Sequence, residues 1–478
     1  MFAFGCNDDA DTDSAENGAN ARPFQGVTVR VAVPRDLNWA ERWKTTLDEW
    51  SARTGAQYEF LEYELSADGA SPSLPEGDLA LFPISQLAAW RRNDRLAVMP
   101  EDLQDQLAFN WLDVLPGLRN TLTRESAKPI AVPIASPVLV CYYRRDLLDQ
   151  AGLSPPETWE DYEKLVRFRD RWASGLTIAE PWHPNWRATM FFARAAASVK
   201  HPGYFGIQFD IESGKPLIDG EGYQKVLEDV VAGLEHRPSK VLQYTPDDCR
   251  RAVLNGTAAI AIGMETSANT LPWPWGVSTA GESRAENVRA ENVQIGIQRL
   301  PGSTKVYNMG LGDWEALPDN RVNYATVTSF CGVAAGVLQS SDPAVQQAAW
   351  NLLELMTLGG SDMFFPKGER TICRESDTLN AAAWTGDDLS GEEQNEFVRS
   401  VRESLNDQQV FAEIPVVNGT AYRDALTAGL TAALTKHQSP AEALAEVAKK
   451  WSELVKSAGA ETVRDSYRAS LGLSKIGR

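Results

Sequence analysis

The chain opens with short apolar runs that alternate with amphipathic stretches. Residues 27–33 alternate apolar and polar types and are rich in β-branched side chains, which predicts a first strand. Trp43, Leu47 and Trp50 recur at helical spacing and predict a helix with one buried face. Residues 58–63 alternate again and predict a second strand. A strand, a helix and a strand in this order indicate a doubly wound α/β lobe.

The middle of the chain has two apolar runs separated by a break. Residues 130–135 and 138–143 flank the pair Ser136-Pro137 and predict buried strands on either side of it. Proline has no N–H and favours an extended residue before it, so the two strands are not continuous. Thr158, followed three residues later by Asp161, has the form of a capping box that begins an amphipathic helix.

The later part of the chain continues the same alternation. Residues 256–263 predict another buried strand, and residues 327–333 predict a small-residue loop with a strand. Asp342-Pro343 begins a helix by the N-cap and N1 preferences. Ser439 and Glu442 form a second capping box ahead of a long amphipathic helix.

An ordered set of residues after the central break resembles the extracellular solute-binding proteins, the receptors of ABC importers. That family typically has a tyrosine, Asp-Leu, Ala-Gly-Leu, Pro-Pro, then Thr-Trp and an acidic residue. The matching residues are Tyr143, Asp146-Leu147, Ala151-Gly152-Leu153, Pro155-Pro156, Thr158-Trp159 and Asp161. The likeness is strongest to the sugar-binding branch that includes the maltose-type receptors.

The resemblance implies an α/β fold of the type II periplasmic-binding-protein kind. Two lobes, each a doubly wound sheet flanked by helices, would be joined by hinge crossings near Ser136, Met264 and Gly359. Ligand would bind between the lobes. The expected bounds are 24–135 plus 265–357 for the N-terminal lobe and 136–264 plus 358–478 for the C-terminal lobe.

The loop Glu180-Pro181-Trp182, with Trp186 shortly after it, is similar to a sugar-contacting loop of the maltose-type receptors. A flat indole suits the apolar face of a pyranose, while carboxylates and amides suit its hydroxyls. The alternative is that these tryptophans pack the core of their lobe. The residues expected at the ligand are Asp36, Asn38, Trp39, Ser136, Glu180, Trp182, Trp186, Glu265, Phe330 and Tyr422.

The first residues resemble a bacterial lipoprotein processing site. A small residue, Gly5, precedes Cys6, and a polar stretch rich in Asp, Asn, Ala and Ser follows. Only five residues precede the cysteine, so the apolar region expected there is missing. We expect residues 1–23 to be a disordered tether, with Cys6 as a lipid anchor and a periplasmic or cell-envelope location. The alternative is a disordered tail that carries an unrelated cysteine.

The amino-acid composition limits the kinds of partner that the protein is expected to bind. Lys and Arg number 46 against 65 Asp and Glu, a net charge of −19, which argues against nucleic acid or an anionic membrane face as the main partner. No run approaches the roughly 18–20 apolar residues of a membrane span. The five cysteines lack CxxC spacing, and the sequence leaves one disulfide open.

The sequence carries no recognisable catalytic or metal-binding motif. There is no nucleophile elbow, P-loop or dinucleotide-binding fingerprint, and the four histidines are scattered. We therefore expect a monomeric receptor with no cofactor, whose partners are a carbohydrate and the permease subunits of an importer. Two alternatives stay open. One is the same fold binding a polyamine, iron or a polyol phosphate; the other is a secreted glycoside-acting enzyme.

Overall fold

A computed structural model describes most of the chain between Arg22 and Ile476. The described residues are 22–35, 39–64, 76–106, 109–122, 128–264, 289–328, 330–340, 342–357, 364–365, 370–385 and 389–476. The expected lipid-anchor residue, the expected third crossing and three expected ligand contacts lie outside them. These positions are Cys6, Gly359, Asp36, Asn38 and Glu265.

Strands and helices alternate along most of the described chain. The strands are β1 (Thr28–Pro34), β2 (Gln57–Tyr63), β3 (Leu79–Pro83), β4 (Val132–Ala135), β5 (Leu139–Arg144), β6 (Thr177–Ala179), β7 (Ala258–Met264), β8 (Ile295–Arg299), β9 (Lys305–Asn308), β10 (Asp313–Ala316), β11 (Thr326–Thr328), β12 (Val333–Val337) and β13 (Val410–Ala412). The α-helices are α1 (Trp39–Thr54), α2 (Leu87–Arg92), α3 (Glu101–Asp105), α4 (Pro116–Thr121), α5 (Arg145–Ala151), α6 (Trp159–Arg167), α7 (Arg187–Val199), α8 (Glu221–Gly233), α9 (Pro246–Leu254), α10 (Pro343–Thr357), α11 (Ala382–Thr385), α12 (Gly391–Asn406), α13 (Gly419–Leu434), α14 (Pro440–Ala458) and α15 (Ala460–Ser470).

The first sheet has the strand order β2-β1-β3-β12-β4. β1 runs parallel to β2 and β3, and β12 runs antiparallel to β3 and β4. Asp78, directly before β3, accepts hydrogen bonds from the backbone N–H of Arg30 at 2.9 Å and from its guanidinium at 3.1 Å. This ion pair fixes the register of β3 against β1.

The second sheet has the strand order β6-β7-β5-β8. β5 is antiparallel to both β7 and β8, and β6 is parallel to β7. Two smaller strand pairs lie beside it: the antiparallel hairpin β9–β10 and the parallel pair β11–β13.

Two hydrophobic cores cover these sheets, and β5 contributes to both. Val140 and Tyr142 pack into the core that also covers the first sheet, while Cys141 and Tyr143 pack into the other core. Successive side chains of a strand point to opposite faces. Tyr142 and Tyr143 therefore lie on opposite faces of the sheet, and each packs into a different core.

The capping boxes expected from the sequence are confirmed. The N–H of Asp161 donates to the Thr158 hydroxyl at 3.1 Å, and the Asp161 carboxylate accepts from the N–H of Thr158 at 3.3 Å. Ser439 and Glu442 exchange the same two bonds at the start of α14. Each box supplies partners for N–H groups that a helix start leaves open.

One expected boundary is corrected by the sheet order. Residues 295–299 were expected in the first lobe, but β8 pairs along its length with β5 of the second sheet. The next described strand after Met264, β8, therefore belongs to the second sheet and not to the first. Among the described strands it passes between the two main sheets at residues 136–138, and it rejoins the first sheet only at β12, after β11.

No α-helix of the described residues is long and apolar enough to cross a membrane.

Candidate functional site

Three loops of the first sheet converge where the chain leaves it. The N–H of Ile84 donates to the carbonyl of Gly332 at 2.8 Å. A Cβ on Gly332 would lie 2.9 Å from the carbonyl oxygen of Ala135 and would also meet the Ile84 side chain, so only glycine fits there. Ser136 follows Ala135 directly and is buried. Open α/β sheets place their ligand sites at strand ends of this kind.

The opposing wall belongs to β11, β13 and the first turns of α13. Glu413 follows β13, and its N–H donates to the carbonyl of Thr328 at the end of β11, at 3.2 Å. Helix α13 packs against the short turn Ile84–Gln86 of the first sheet. We call the region where these elements meet the seam; it comprises residues 84–86, 135–136, 328, 330–332 and 413–423.

A buried ion pair organises the second wall of the seam. Arg423 Nε donates to Glu413 Oε1 at 2.9 Å, and Glu413 Oε2 accepts from the Thr189 hydroxyl at 2.6 Å and from the N–H of Phe330 at 3.2 Å. The Arg423 guanidinium also lies 5.2 Å from the centre of the Phe330 ring. Such charge-assisted bonds are stronger and more directional than neutral ones, so this wall is rigid.

Sequence reasoning missed Glu413 and Arg423. The signal that could have found them is a carboxylate placed directly after a short apolar run, followed ten residues later by an arginine near a helix start. Polar side chains at strand ends are the ones that α/β folds present to a ligand.

Several polar atoms at the seam are buried without a hydrogen-bond partner among the described residues. They include Ser136 Oγ, Gln86 Oε1 and the Tyr422 hydroxyl. An unsatisfied buried polar group costs about 1–3 kcal/mol, so native proteins rarely keep one without a reason. A ligand rich in hydroxyl groups would satisfy donors and acceptors of this kind.

The structure buries Glu180 among hydrogen-bond partners of its own chain. Its Oε1 accepts from the Tyr162 hydroxyl and from Arg237 Nη2, both at 2.8 Å. Its Oε2 accepts from Trp182 Nε1 at 2.7 Å and from Arg237 Nε at 2.8 Å. Burial alone would raise the pKa of Glu180, but the Arg237 guanidinium outweighs it and lowers the pKa to about 2. With its oxygens occupied, this carboxylate orders the loop from inside the second core.

The aromatic candidates are also packed in the interior. Trp182 is 0% exposed and belongs to the second core, so it matches the core-packing alternative rather than an open stacking face. Trp39 stacks on Trp43 with ring centres 5.1 Å apart. The Tyr422 ring packs edge-on against Trp451.

Trp186 and Phe330 are buried as well, although Trp186 lies next to the seam and Phe330 lies within it. Trp186 is the residue before α7, the helix that carries Thr189, and Phe330 sits over the Glu413–Arg423 pair. Of the expected contacts within the described residues, Ser136, Phe330 and Tyr422 belong to the seam, the last of them on α13. Asp36, Asn38 and Glu265 lie outside the described residues.

The described residues contain no group of three or more His, Cys, Asp or Glu that could hold a metal ion. Cys141, Cys249, Cys331 and Cys373 are buried, and no disulfide joins any two of them.

Comparison with known protein families shows which family the chain belongs to. The model of the bacterial extracellular solute-binding protein family matches residues 52–361, which is more than half of the chain. The chain belongs to this family. The resemblance inferred from Tyr143 to Asp161 is thereby confirmed, and so is the exterior of the cell as the place where the family works.

Solved structures of solute-binding proteins share the fold. Maltose-bound MalE3 of T. maritima has 19% sequence identity, covers 90% of this chain and 100% of its own, and gives a TM-score of 0.57. The ribitol complex of a solute-binding protein from Agrobacterium radiobacter has 18% identity, the same coverage and a TM-score of 0.58. The sugar-binding protein MalE of Xanthomonas citri has 16% identity, covers 90% and 98%, and gives 0.61. The expected two-lobed α/β fold of this receptor is confirmed.

Proposed function

We propose that this solute-binding protein captures a sugar or oligosaccharide at the seam and delivers it to the permease of an ABC importer. The unsatisfied hydroxyl and amide oxygens of Ser136, Gln86 and Tyr422 carry the proposal, because a polyhydroxylated solute is the ligand that would complete their hydrogen bonds. Structures of the same fold with bound maltose, ribitol and D-mannitol support this class of ligand.

The rigid Glu413–Arg423 wall supports binding without chemistry. Glu413 and Arg423 pair with each other, and Glu413 also accepts from the Thr189 hydroxyl, so both side chains are engaged in holding the wall. We therefore infer that the solute is released unchanged. Closure of the two lobes would be a hinge motion about the connections between the sheets, selected by the ligand.

We also propose that Cys6 and the polar residues that follow it tether the natural protein to the cell envelope. A lipid on this cysteine would keep the receptor beside its permease, while the acidic chain, at −19, stays away from the anionic membrane face.

The test is a ligand panel read by thermal shift and calorimetry, with the variant Ser136→Ala. Maltose, ribitol and mannitol represent the proposed class; spermidine and ferric iron represent the alternatives. A ligand at 100 times its dissociation constant stabilises the folded state by about 2.7 kcal/mol. Ser136→Ala should lower sugar affinity about fivefold, the value of one hydrogen bond, without lowering stability, because Ser136 Oγ has no hydrogen-bond partner to lose among the described residues.

The matched control is Ser400→Ala. Ser400 Oγ donates within the core to the carbonyl of Glu396 at 2.6 Å, so its loss should reduce stability and leave affinity unchanged. Maltose should be recovered intact from the titration cell. Binding of spermidine or iron alone, an affinity indifferent to Ser136→Ala, or recovery of cleaved sugar would reject the proposal.

A further inference from the structure

A large cavity lies away from the seam, at the opposite end of the β11–β13 pair. Its volume is about 890 Å³, and its lining includes residues 321–324 before β11 and residues 407–410 at the start of β13. The seam begins at the other ends of these strands, after Thr328 and Ala412. Three residues of strand span roughly 10 Å, so the cavity and the seam are separate places.

The wall of this cavity holds a buried cation. Lys200 is 6% exposed, and its ammonium donates to the carbonyl of Tyr204. Within the described part of the chain no carboxylate lies at ion-pair distance from it, and the charge of Asp407 acts from further away. Burial lowers the pKa of Lys200 to about 8. A buried charge without a counter-charge is costly, and a bound anion would offset that cost.

The backbone around Lys200 is held in place by a buried amide. Asn323 Nδ2 donates to the carbonyls of Ala197 at 2.7 Å and Lys200 at 3.0 Å. Asn323 Oδ1 accepts from Gln409 Nε2 at 2.5 Å. These bonds join three separate segments of the wall, so the cavity is pre-organised rather than a gap between loose loops.

Two further cations and two aromatic rings line the cavity. Arg299 lies flat on Tyr324, with its Cζ atom 3.3 Å from the ring centre, and its nearest ion-pair partner, Glu403, is 3.9 Å away. Arg321 is exposed and has no ion pair within the residues that the structure describes. Tyr204 provides the second ring.

The charge of the lining contrasts with that of the chain. The lining holds three cations, Lys200, Arg299 and Arg321, and two carboxylates, Glu157 and Asp407, with Glu403 3.9 Å from Arg299, whereas the whole protein carries 46 cationic against 65 acidic side chains. Lys200 and Arg321 have no ion pair among the described residues, so this half-open cavity presents two uncompensated cations on an acidic protein, and these attract an anion.

We propose that this cavity is a second binding site, which takes a sugar or polyol bearing one carboxylate or phosphate group. Lys200 and Arg321 would pair with the anionic group. The rings of Tyr204 and Tyr324 would flank the apolar face of the ligand, and the volume accommodates a mono- or disaccharide.

Calorimetric titration of the full chain with three probes tests the proposal. Glucuronate carries a carboxylate, glucose 6-phosphate carries a phosphate, and glucose has the same ring without a charge. We expect glucuronate or glucose 6-phosphate to bind and glucose to bind at least tenfold more weakly at this site; the stronger of the two identifies the anion.

The variants Lys200→Met and Arg321→Gln should each reduce the affinity for the anionic probe about tenfold or more, the usual effect of losing one charge-assisted bond. Arg321 is exposed, so Arg321→Gln should leave folding intact. This variant therefore tests the proposal even if Lys200→Met disturbs folding. Lys449→Met, an exposed lysine on α14, is the matched control and should have no effect. Ser136→Ala should also leave this binding unchanged. Absence of binding by both anionic probes, or affinities that neither cavity variant alters, would overturn the proposal.

Discussion

At the residue scale, Glu180 shows how a polar side chain near a binding region can serve the scaffold. Arg237, 57 residues further along the chain, meets both of its oxygens and also pairs with Glu163 at 2.7 Å. Removing one member of a buried ion pair costs about 3–5 kcal/mol, because the other charge is left without compensation. The carboxylate therefore holds the Glu180–Trp182 loop in position.

The pKa of Glu180 makes a prediction about acid stability. Glu180 keeps its charge in the folded state down to a pKa of about 2, while the unfolded chain protonates near 4.5. Between these values the unfolded state binds more protons, so stability falls as pH falls. Glu180→Gln should therefore lose about 3 kcal/mol of unfolding free energy at pH 7, and its deficit against the wild type should shrink as pH falls from 4.5 towards 2.

Urea unfolding at several pH values measures this difference. The control is Glu160→Gln on α6, because Glu160 is exposed and pairs only with Lys164 at the surface. That variant should change stability by less than about 1 kcal/mol at every pH. A Glu180→Gln deficit that stays constant down to pH 2 would show that the pair does not act through its charge.

At the element scale, the order of helices and strands could be read from the chain, but the pairing of one strand could not. The capping boxes at Thr158 and Ser439 were predictable because both partners lie within three residues. β8 was misplaced because its pairing with β5 links residues about 150 positions apart, and no local pattern reports such a contact. Separations of 57 and 224 residues likewise hid Arg237 from Glu180 and Glu413 from Thr189.

Helix α4 makes a close contact that depends on a glycine. A Cβ on Gly117 would lie 2.7 Å from the carbonyl oxygen of Leu405 in α12 and 2.7 Å from the Val410 side chain at the start of β13. Gly117→Ala should therefore destabilise the protein by about 1–3 kcal/mol, the usual cost of overpacking.

Chemical denaturation of Gly117→Ala and Gly391→Ala measures this contact. Gly391 begins α12 and has open space where its Cβ would stand, so alanine there should be neutral or slightly stabilising. Equal stability of the two variants would mean that α4 and α12 are not in close contact in solution.

At the scale of the whole molecule, two sheets and their covering helices leave a seam between them and a separate cavity at one side. The resemblance found in the sequence was sufficient to predict the family and the two-lobed fold. It was not enough for the site, because the indole rings named from their loop proved to be buried, while the Glu413–Arg423 wall forms only through tertiary contacts. Membership of a family predicts the fold of a protein better than it predicts the individual contacts to a ligand.

The measurement that tests the central claim most directly is a crystal structure of the protein saturated with the sugar that stabilises it most. We expect electron density for the sugar at the seam, within hydrogen-bond distance of Ser136 Oγ and bordered by the turn 84–86 and the start of α13. Density for the sugar elsewhere in the molecule, with the seam still packed shut, would contradict the account.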